Sequence, residues 1–359
     1  MKPVLQALAA LCLLFAGHAG AENLYRVPIK STLAQRRSDE ASAPAVNAAL
    51  KVITAVQAGD DQVFADVLVD TGSAILWVGA LQPYVPGKYT QVINETFSIG
   101  YSGGGAEGIA YIDRVTIGDA VVDSQIIGAA NYSVGLQIAK PIDGIFGLGP
   151  SGSNEDEVSG YYTTPTFVEN LVSEGKIDRA LFGIYVSPVS EEGIPEGLGE
   201  ITFGGVDESR FQGEIEWLEQ TEPYNQHWSF NVSSVSWGDQ LLAEQPIDLA
   251  LFPILDMVPG ASIDLTSFLE GCAIFPSNMT AENLPDITIG VGSLNFVIPA
   301  SRYIVPKTLY SALNITDDLT HTYIGAGGFG EFFLGQKFLE GAYSAYDMDN
   351  HLVGLAYPA

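Results

Sequence analysis

The 359-residue chain has little cysteine, little positive charge and no long apolar run. Its 15 Lys and Arg stand against 43 Asp and Glu, a formal net charge of −28. A chain this acidic is not expected to bind nucleic acid, because contacts to phosphate need a basic face. The histidines are His18, His227, His321 and His351, and they show no metal-ligand spacing, so no metal site is predicted.

Residues 1–21 are predicted to be a secretory signal peptide. Lys2 gives the basic start, Val4 to Phe15 the apolar centre, and Ala19-Gly20-Ala21 a small-residue cleavage site. The apolar stretch is too short for a membrane span, which needs about 20 residues, and no later segment qualifies. We therefore expect a secreted, extracellular protein with no membrane segment.

Two further features agree with secretion. Cys12 lies in the signal peptide, so Cys272 is the one cysteine left and no internal disulfide is expected. Five Asn-x-Ser/Thr sequons suit a glycoprotein. They begin at Asn94, Asn131, Asn231, Asn278 and Asn314.

Residues 22–45 are predicted to be a prosegment. Five of the 15 basic residues lie in 1–37 together with one acid, Glu22, and the balance reverses after Arg37. A basic leader ahead of an acidic body is expected to be held by charge attraction, with Arg36-Arg37 as a processing site. A disordered N-terminal tail is the alternative.

Most of the chain has the pattern of short β-strands separated by turns. Glu107 to Ile117 ends at Gly118-Asp119, and Glu200 to Phe203 ends at Gly204-Gly205. One helix is predicted between Thr164 and Gly175, with its apolar face formed by Phe167, Val168, Leu171 and Val172. The fold class is mainly β.

The chain is predicted to divide into an N-terminal β lobe, 46–190, and a C-terminal β lobe, 191–359. Residues 187–199 are rich in Pro, Gly and Glu, as expected of an exposed connection. Hydrophobic residues followed by Gly recur in Asp143 to Gly149 and in Phe332 to Leu339. This recurrence suggests a duplicated lobe.

The segment Val69-Asp70-Thr71-Gly72-Ser73 carries the clearest chemical signal. Asp70 follows the apolar run Val67-Leu68-Val69, so its carboxylate arrives on a buried strand. Gly72 permits close approach by backbone or substrate, and the hydroxyls of Thr71 and Ser73 can orient a carboxylate. Asp70 is therefore a candidate catalytic acid.

From about residue 50 to the C-terminus the chain resembles the pepsin-like aspartic endopeptidases, in their secreted, fungal-type form. The matching segments follow one another in the family's order. They are Val69 to Ser73 with Trp77-Val78-Gly79, Tyr101 to Gly105, Asp143 to Pro150, Gly199 to Gly205, Phe333-Leu334-Gly335 and Val353 to Ala356.

The resemblance implies a bilobal acid protease fold with a central peptide-binding cleft. In this family one Asp from each lobe acts on a water that attacks the peptide carbonyl, without metal or organic cofactor. Asp70 would be the first acid and Tyr101 the flap tyrosine. Substrate-binding positions would be Thr71, Gly72, Ser73, Tyr101, Ser102 and Gly103. The partners expected are polypeptide substrates, and a monomer is expected.

The second Asp-Thr/Ser-Gly motif is missing. Asp256 follows Pro253-Ile254-Leu255 and is the best candidate for the second acid, but Met257-Val258 comes after it. Asp248 and Asp264 are the alternatives. The catalytic loop of the second lobe and the helix behind it are expected to be absent, which would leave the C-terminal lobe incomplete.

Three interpretations stay open. The chain is an endopeptidase active at acidic pH with an unusual second acid, or a non-catalytic homologue that binds peptides or proteins in the cleft. The third interpretation is an omitted coding segment near residues 248–258.

Overall fold

The computed structural model describes residues 6–8, 25–31, 51–101, 104–135, 142–188, 198–243, 251–267, 269–325 and 331–359. This part of the chain is mainly β. The strands are β1 Gln6–Leu8, β2 Tyr25–Ser31, β3 Val52–Ala58, β4 Gln62–Asp70, β5 Leu76–Val78, β6 Gln91–Tyr101, β7 Gly104–Ile117, β8 Ala120–Val134, β9 Gly144–Gly147, β10 Leu181–Tyr185, β11 Leu198–Phe203, β12 Phe211–Glu219, β13 Ser229–Asn231, β14 Ser234–Trp237, β15 Gln240–Ala243, β16 Ser262–Ile263, β17 Cys272–Phe275, β18 Ile287–Val291, β19 Leu294–Ile298, β20 Thr320–Gly325, β21 Glu331–Phe333, β22 Tyr343–Asp347 and β23 Leu352–Pro358. The α-helices are α1 Phe167–Ser173, α2 Leu251–Met257, α3 Ala300–Tyr303 and α4 Gln336–Leu339.

A sheet of 13 strands runs through both halves of the chain, in the order β12-β23-β22-β10-β11-β2-β3-β4-β9-β5-β8-β7-β6. β10 lies between β11 and β22, so strands from both sides of residue 190 pair directly. The proposed boundary at 190 falls in 189–197, outside the described residues, and stays a prediction.

The strands and the helix expected from the sequence pattern are confirmed. β7 and β11 cover the two alternating segments, and Gly118 and Gly204 after them have φ of +57° and +88°. Helix α1 begins after Thr166, whose hydroxyl accepts a hydrogen bond from Glu169 N, while Glu169 accepts one from Thr166 N. This capping box satisfies backbone donors that the first turn of a helix leaves open.

The strand β2 lies in the predicted prosegment. It pairs antiparallel with β11 over six residue pairs and with β3 at Lys30–Ile53 and Ser31–Val52. Backbone hydrogen bonds therefore join residues 25–31 to the sheet shared by both halves. The processing site expected at Arg36-Arg37 lies outside the described residues.

The strand β1 lies in the predicted signal peptide and joins a small sheet of the second half, between β13 and β21. It runs parallel to β21 with Gln6, Ala7 and Leu8 opposite Glu331, Phe332 and Phe333. In the first half β4, which ends at Asp70, runs parallel to β9 in the same way. The strand position beside β21 therefore corresponds to that of β4, and here residues 6–8 fill it.

One expectation about the second half is wrong. Helix α2 stands directly before the Val258-Pro259-Gly260 segment, where no helix was expected. Ile254 on α2 is fully buried and belongs to the main core. A seven-residue segment, 244–250, connects β15 to this helix and lies outside the described residues.

The main core is aromatic and lies where the two halves meet. Phe146 packs edge-on against Phe167, while Phe182 stacks on Tyr346 with ring centroids 4.3 Å apart. Trp228 of the second half packs against Phe182 in the same cluster. A second cluster, around Trp77 and Phe97, lies under β6 and β7.

Gly144 allows β9 to lie between β4 and β5, because a Cβ there would run into the carbonyl oxygen of Trp77. We expect Gly144→Ala to lower the free energy of unfolding by about 3 kcal/mol, measured by chemical denaturation. Gly100→Ala is the matched control, since a Cβ at Gly100 meets nothing within 4 Å. Equal losses in the two variants would contradict this account of β9.

Candidate active site

Asp70 is the last residue of β4, and its carboxylate is held by the turn that follows. Gly72 N donates to Asp70 Oδ1 at 2.9 Å and Ser73 Oγ donates to Oδ2 at 2.6 Å. A Cβ on Gly72 would lie 3.2 Å from Asp70 Oδ1, so glycine at this position leaves room for the carboxylate of Asp70. Thr71 makes no hydrogen bond with a described residue, so Ser73 alone fulfils the orienting role expected of both hydroxyls.

Backbone hydrogen bonds clamp the turn after Asp70 onto the segment that follows β9. Leu148 N donates to Asp70 O at 2.7 Å, Gly149 N to Ser73 O at 2.7 Å and Gly147 N to Ile75 O at 3.1 Å. Trp228 Nε1 donates to Leu148 O at 2.9 Å. A tryptophan of the second half thus braces the acid of the first half, a link the sequence did not reveal.

Tyr101 ends β6, and its hydroxyl accepts a hydrogen bond from Trp77 Nε1 at 2.9 Å. Trp77 has no exposed surface, so it packs in the core beneath the hairpin of β6 and β7. Burial raises the pKa of Tyr101 well above its ordinary value, and the carboxylates of Asp70 and Glu157 raise it further. The structure therefore brings Tyr101 and Asp70 into one electrostatic environment. Ser102 and Gly103, the other predicted residues of the hairpin, lie outside the described residues.

Glu157 is a buried carboxyl group beside this hairpin that sequence analysis missed. Its carbonyl oxygen accepts a hydrogen bond from Ser98 N of β6 at 2.9 Å. Its Oε2 is buried and has no hydrogen-bond partner among the described residues, and burial raises the pKa of Glu157 to about 8. The group is therefore neutral under acidic conditions. No motif in the sequence marks it.

The second acid has no counterpart to Asp70 among the described residues. Asp256 lies on helix α2 with its side chain exposed, and no described contact joins it to Asp70. Asp248 lies in 244–250, outside the described residues. The geometry therefore gives Asp256 no support, and the assignment of the second acid stays a prediction.

Asp264, the remaining alternative, is fully buried in a network of its own. Its Oδ1 accepts hydrogen bonds from the backbone N–H groups of Thr266 and Ser267, each at 2.9 Å. Its Oδ2 accepts one from Ser267 Oγ and lies 2.9 Å from His321 Nδ1. The other ring nitrogen of His321 lies 3.0 Å from Asp317 Oδ1. Asp264 therefore ties β16 to β20 and is not free for chemistry.

Comparison with known proteins agrees with this geometry. The sequence model of the family described as "Eukaryotic aspartyl protease" matches residues 51–252 and 269–358. The chain belongs to the eukaryotic aspartyl protease family. The interruption in the match, 253–268, contains both Asp256 and Asp264.

Individual relatives cover nearly the same part of the chain. Polyporopepsin from Irpex lacteus is 28% identical over 88% of this chain and 96% of its own length. Gastricsin from Cavia porcellus is 29% identical, over 82% of this chain and 76% of its own length. The crystal structure of aspartic proteinase from Irpex lacteus superimposes with a TM-score of 0.76 at 25% identity, covering 94% of this chain and 98% of that one.

The chain is mainly β, as expected for an aspartyl protease, and the assignment of Asp70 as the first acid stays a prediction. Among the described residues no three His, Cys, Asp or Glu side chains cluster as metal ligands. Nor does any described helix have the length and apolar character needed to cross a membrane.

The Asp264 network predicts a pH-dependent contribution to stability. Burial opposes its charge, but hydrogen bonds from Ser267 and Thr266 and the charge of His321 outweigh it and lower the pKa of Asp264. A lowered pKa stabilises the fold above the unfolded value of about 3.9, and this stabilisation is lost as the pH falls through the folded value. We expect Asp264→Asn to cost about 2–3 kcal/mol near pH 6, measured by chemical denaturation.

The loss in Asp264→Asn should shrink toward pH 2, where the natural carboxyl is also neutral. Asp317→Asn is the control, since Asp317 meets the other nitrogen of His321 from a side chain that is 43% exposed, and its effect should be smaller. An equal loss at both pH values would show that the charge of Asp264 is not what stabilises the fold.

Proposed function

We propose that the chain is the precursor of a secreted aspartic endopeptidase that hydrolyses extended polypeptides under acidic conditions. The observation that carries the proposal is the clamped, hydrogen-bonded carboxylate of Asp70, together with Tyr101 at the end of β6. Membership in the aspartyl protease family gives the reaction class.

Asp70 would hold and deprotonate a water that attacks the peptide carbonyl, and a second, protonated acid would donate to the developing oxyanion. Gly72 N and Ser73 Oγ fix the carboxylate in place, so the water would meet an acid that needs no reorganisation. The second acid would come from the stretch between β15 and β16, which contains Asp248 and Asp256.

Two observations support an acidic working environment. The Oε2 of Glu157 is buried beside the hairpin and has no partner in the part of the chain that the structure describes, a position that favours the neutral form of Glu157. The body of the chain carries nearly all of the 43 acidic residues, and their mutual repulsion weakens as they protonate.

Secretion and processing as a zymogen are supported by the pairing of β2 and by the positions of the sequons. β2 joins the sheet through backbone pairing with β3 and β11, as a segment held until processing would. The asparagines of all five sequons are exposed and therefore accessible to glycosylation. These are Asn94, Asn131, Asn231, Asn278 and Asn314.

A non-catalytic homologue that binds peptides in the cleft is the alternative. It is favoured by the strand position beside β21, which corresponds to that of the acid-bearing β4 and is filled by residues 6–8. It is also favoured by Asp264, whose oxygens are occupied within its own network.

Cleavage of denatured haemoglobin by the processed chain tests the proposal, from about pH 2 to about pH 6, the range in which carboxylate dyads titrate. We expect cleavage that a pepstatin-type inhibitor blocks and that falls by at least about a hundredfold in Asp70→Asn. Asp248→Asn and Asp256→Asn assayed in parallel assign the second acid by which of them also loses activity. A folded, inactive natural chain would overturn the proposal and leave the binding homologue or an omitted coding segment, which sequencing the transcript across residues 248–258 would distinguish.

The raised pKa of Glu157 predicts that this residue destabilises the fold as the pH rises toward neutral. A carboxyl whose pKa is about 8 when folded and about 4.3 when unfolded weakens the fold progressively as the pH rises between these values. We expect Glu157→Gln to raise the melting temperature near pH 7 and to leave it unchanged near pH 3, since the natural group is then neutral in both states. A gain of equal size at both pH values would exclude this cause.

A further inference from the structure

A cavity of about 180 Å³ lies in the first half of the chain, beside the turn between β3 and β4. Polar, charged and aromatic side chains line it, among them Gln57, Asp61, Lys88, Tyr89, Arg114 and Thr116. β4 runs from Gln62 beside this cavity to Asp70, eight residues later, so the cavity lies about 26 Å from the acid. It is therefore separate from the peptide-binding cleft.

Two cations meet at one aromatic ring in this cavity. Lys88 Nζ lies 4.8 Å and Arg114 Cζ 5.0 Å from the ring centroid of Tyr89, a side chain that is 43% exposed. Both distances are within the range of cation–π attraction. The chain has only 15 basic residues against 43 acids, and two of these 15 meet at one ring.

These cations are only partly neutralised by their surroundings. Arg114 Nε lies 3.3 Å from Asp123 Oδ1, but Asp123 also pairs with Lys176 at 2.8 Å. A guanidinium has five N–H donors, so Arg114 keeps donors for a further acceptor. Within the described part of the chain, Lys88 has no carboxylate at ion-pair distance. Asp61 is the one acidic side chain in the lining.

We propose that this cavity binds a carboxylate group through Lys88 and Arg114, the two cations that lie over the ring of Tyr89. A volume of about 180 Å³ suits a group of the size of one sugar or amino-acid unit. An acidic monosaccharide and an acidic side chain share this chemistry. The site would anchor such a group at a distance from the cleft, and it does not depend on catalytic activity.

Titration of the full-length chain with glucuronate and with N-acetylaspartate amide, near pH 6 and against sodium chloride at equal ionic strength, tests the site. We expect saturable binding by calorimetry that weakens about fivefold or more in Lys88→Gln and in Arg114→Gln. Tighter binding of glucuronate identifies an acidic sugar as the source, and tighter binding of the aspartate derivative an acidic peptide. Failure of both probes to bind overturns the proposal.

Two further variants guard against a general charge effect. Asp61→Asn removes the negative charge from the lining and should tighten binding; Asn also tolerates the φ of +50° found at Asp61. Lys307→Gln is the matched control, because Lys307 Nζ lies 4.2 Å from the ring of Tyr310 but outside this cavity. The affinity of this variant for the probes should be unchanged. The proposal is overturned if Lys88→Gln, an exposed change, binds like the natural chain, or if Lys307→Gln weakens binding equally.

Discussion

The clamp between the turn after Asp70 and the segment after β9 is the constraint on which the candidate site depends. Three backbone hydrogen bonds, from the N–H groups of Gly147, Leu148 and Gly149, fix the turn. Because the backbone is fixed, Gly72 N and Ser73 Oγ hold the carboxylate of Asp70 in one orientation. The same segment accepts the hydrogen bond of Trp228, so the position of the acid also depends on the second half.

Each half of the chain contains a parallel strand pair, but the strands come from different parts of the sequence. In the first half a parallel pair, β4 and β9, delivers an acid to a clamped turn. In the second half the corresponding pair is β1 and β21, and the strand comes from the far N-terminus. Removal of residues 1–21 would leave backbone groups of β13 and β21 without partners, at about 1–3 kcal/mol for each buried group. The strand that pairs with β21 is thus a question of stability as well as of chemistry.

The sequence predicted the elements whose causes are local. The position of Asp70 follows from an apolar run and a glycine, and helix α1 follows from its capping residues and apolar spacing. It did not predict contacts between distant segments, such as Trp228 to Leu148 or His321 to Asp264, since no spacing rule relates them. Helix α2 was missed because Pro253 and its short apolar run do not show the period of a longer helix. Glu157 was missed because its burial depends on how its loop packs against β6.

The central claim is that the cleft stabilises a tetrahedral reaction intermediate through Asp70. The most direct measurement is the affinity of the processed chain for a non-hydrolysable tetrahedral peptide analogue, compared with its matched amide peptide, near pH 4. A working pair of acids should bind the analogue at least about a hundredfold more tightly, and Asp70→Asn should remove this preference. Equal affinity for the two ligands in the natural chain would contradict the claim, because it would show a cleft that binds peptides without favouring the transition state.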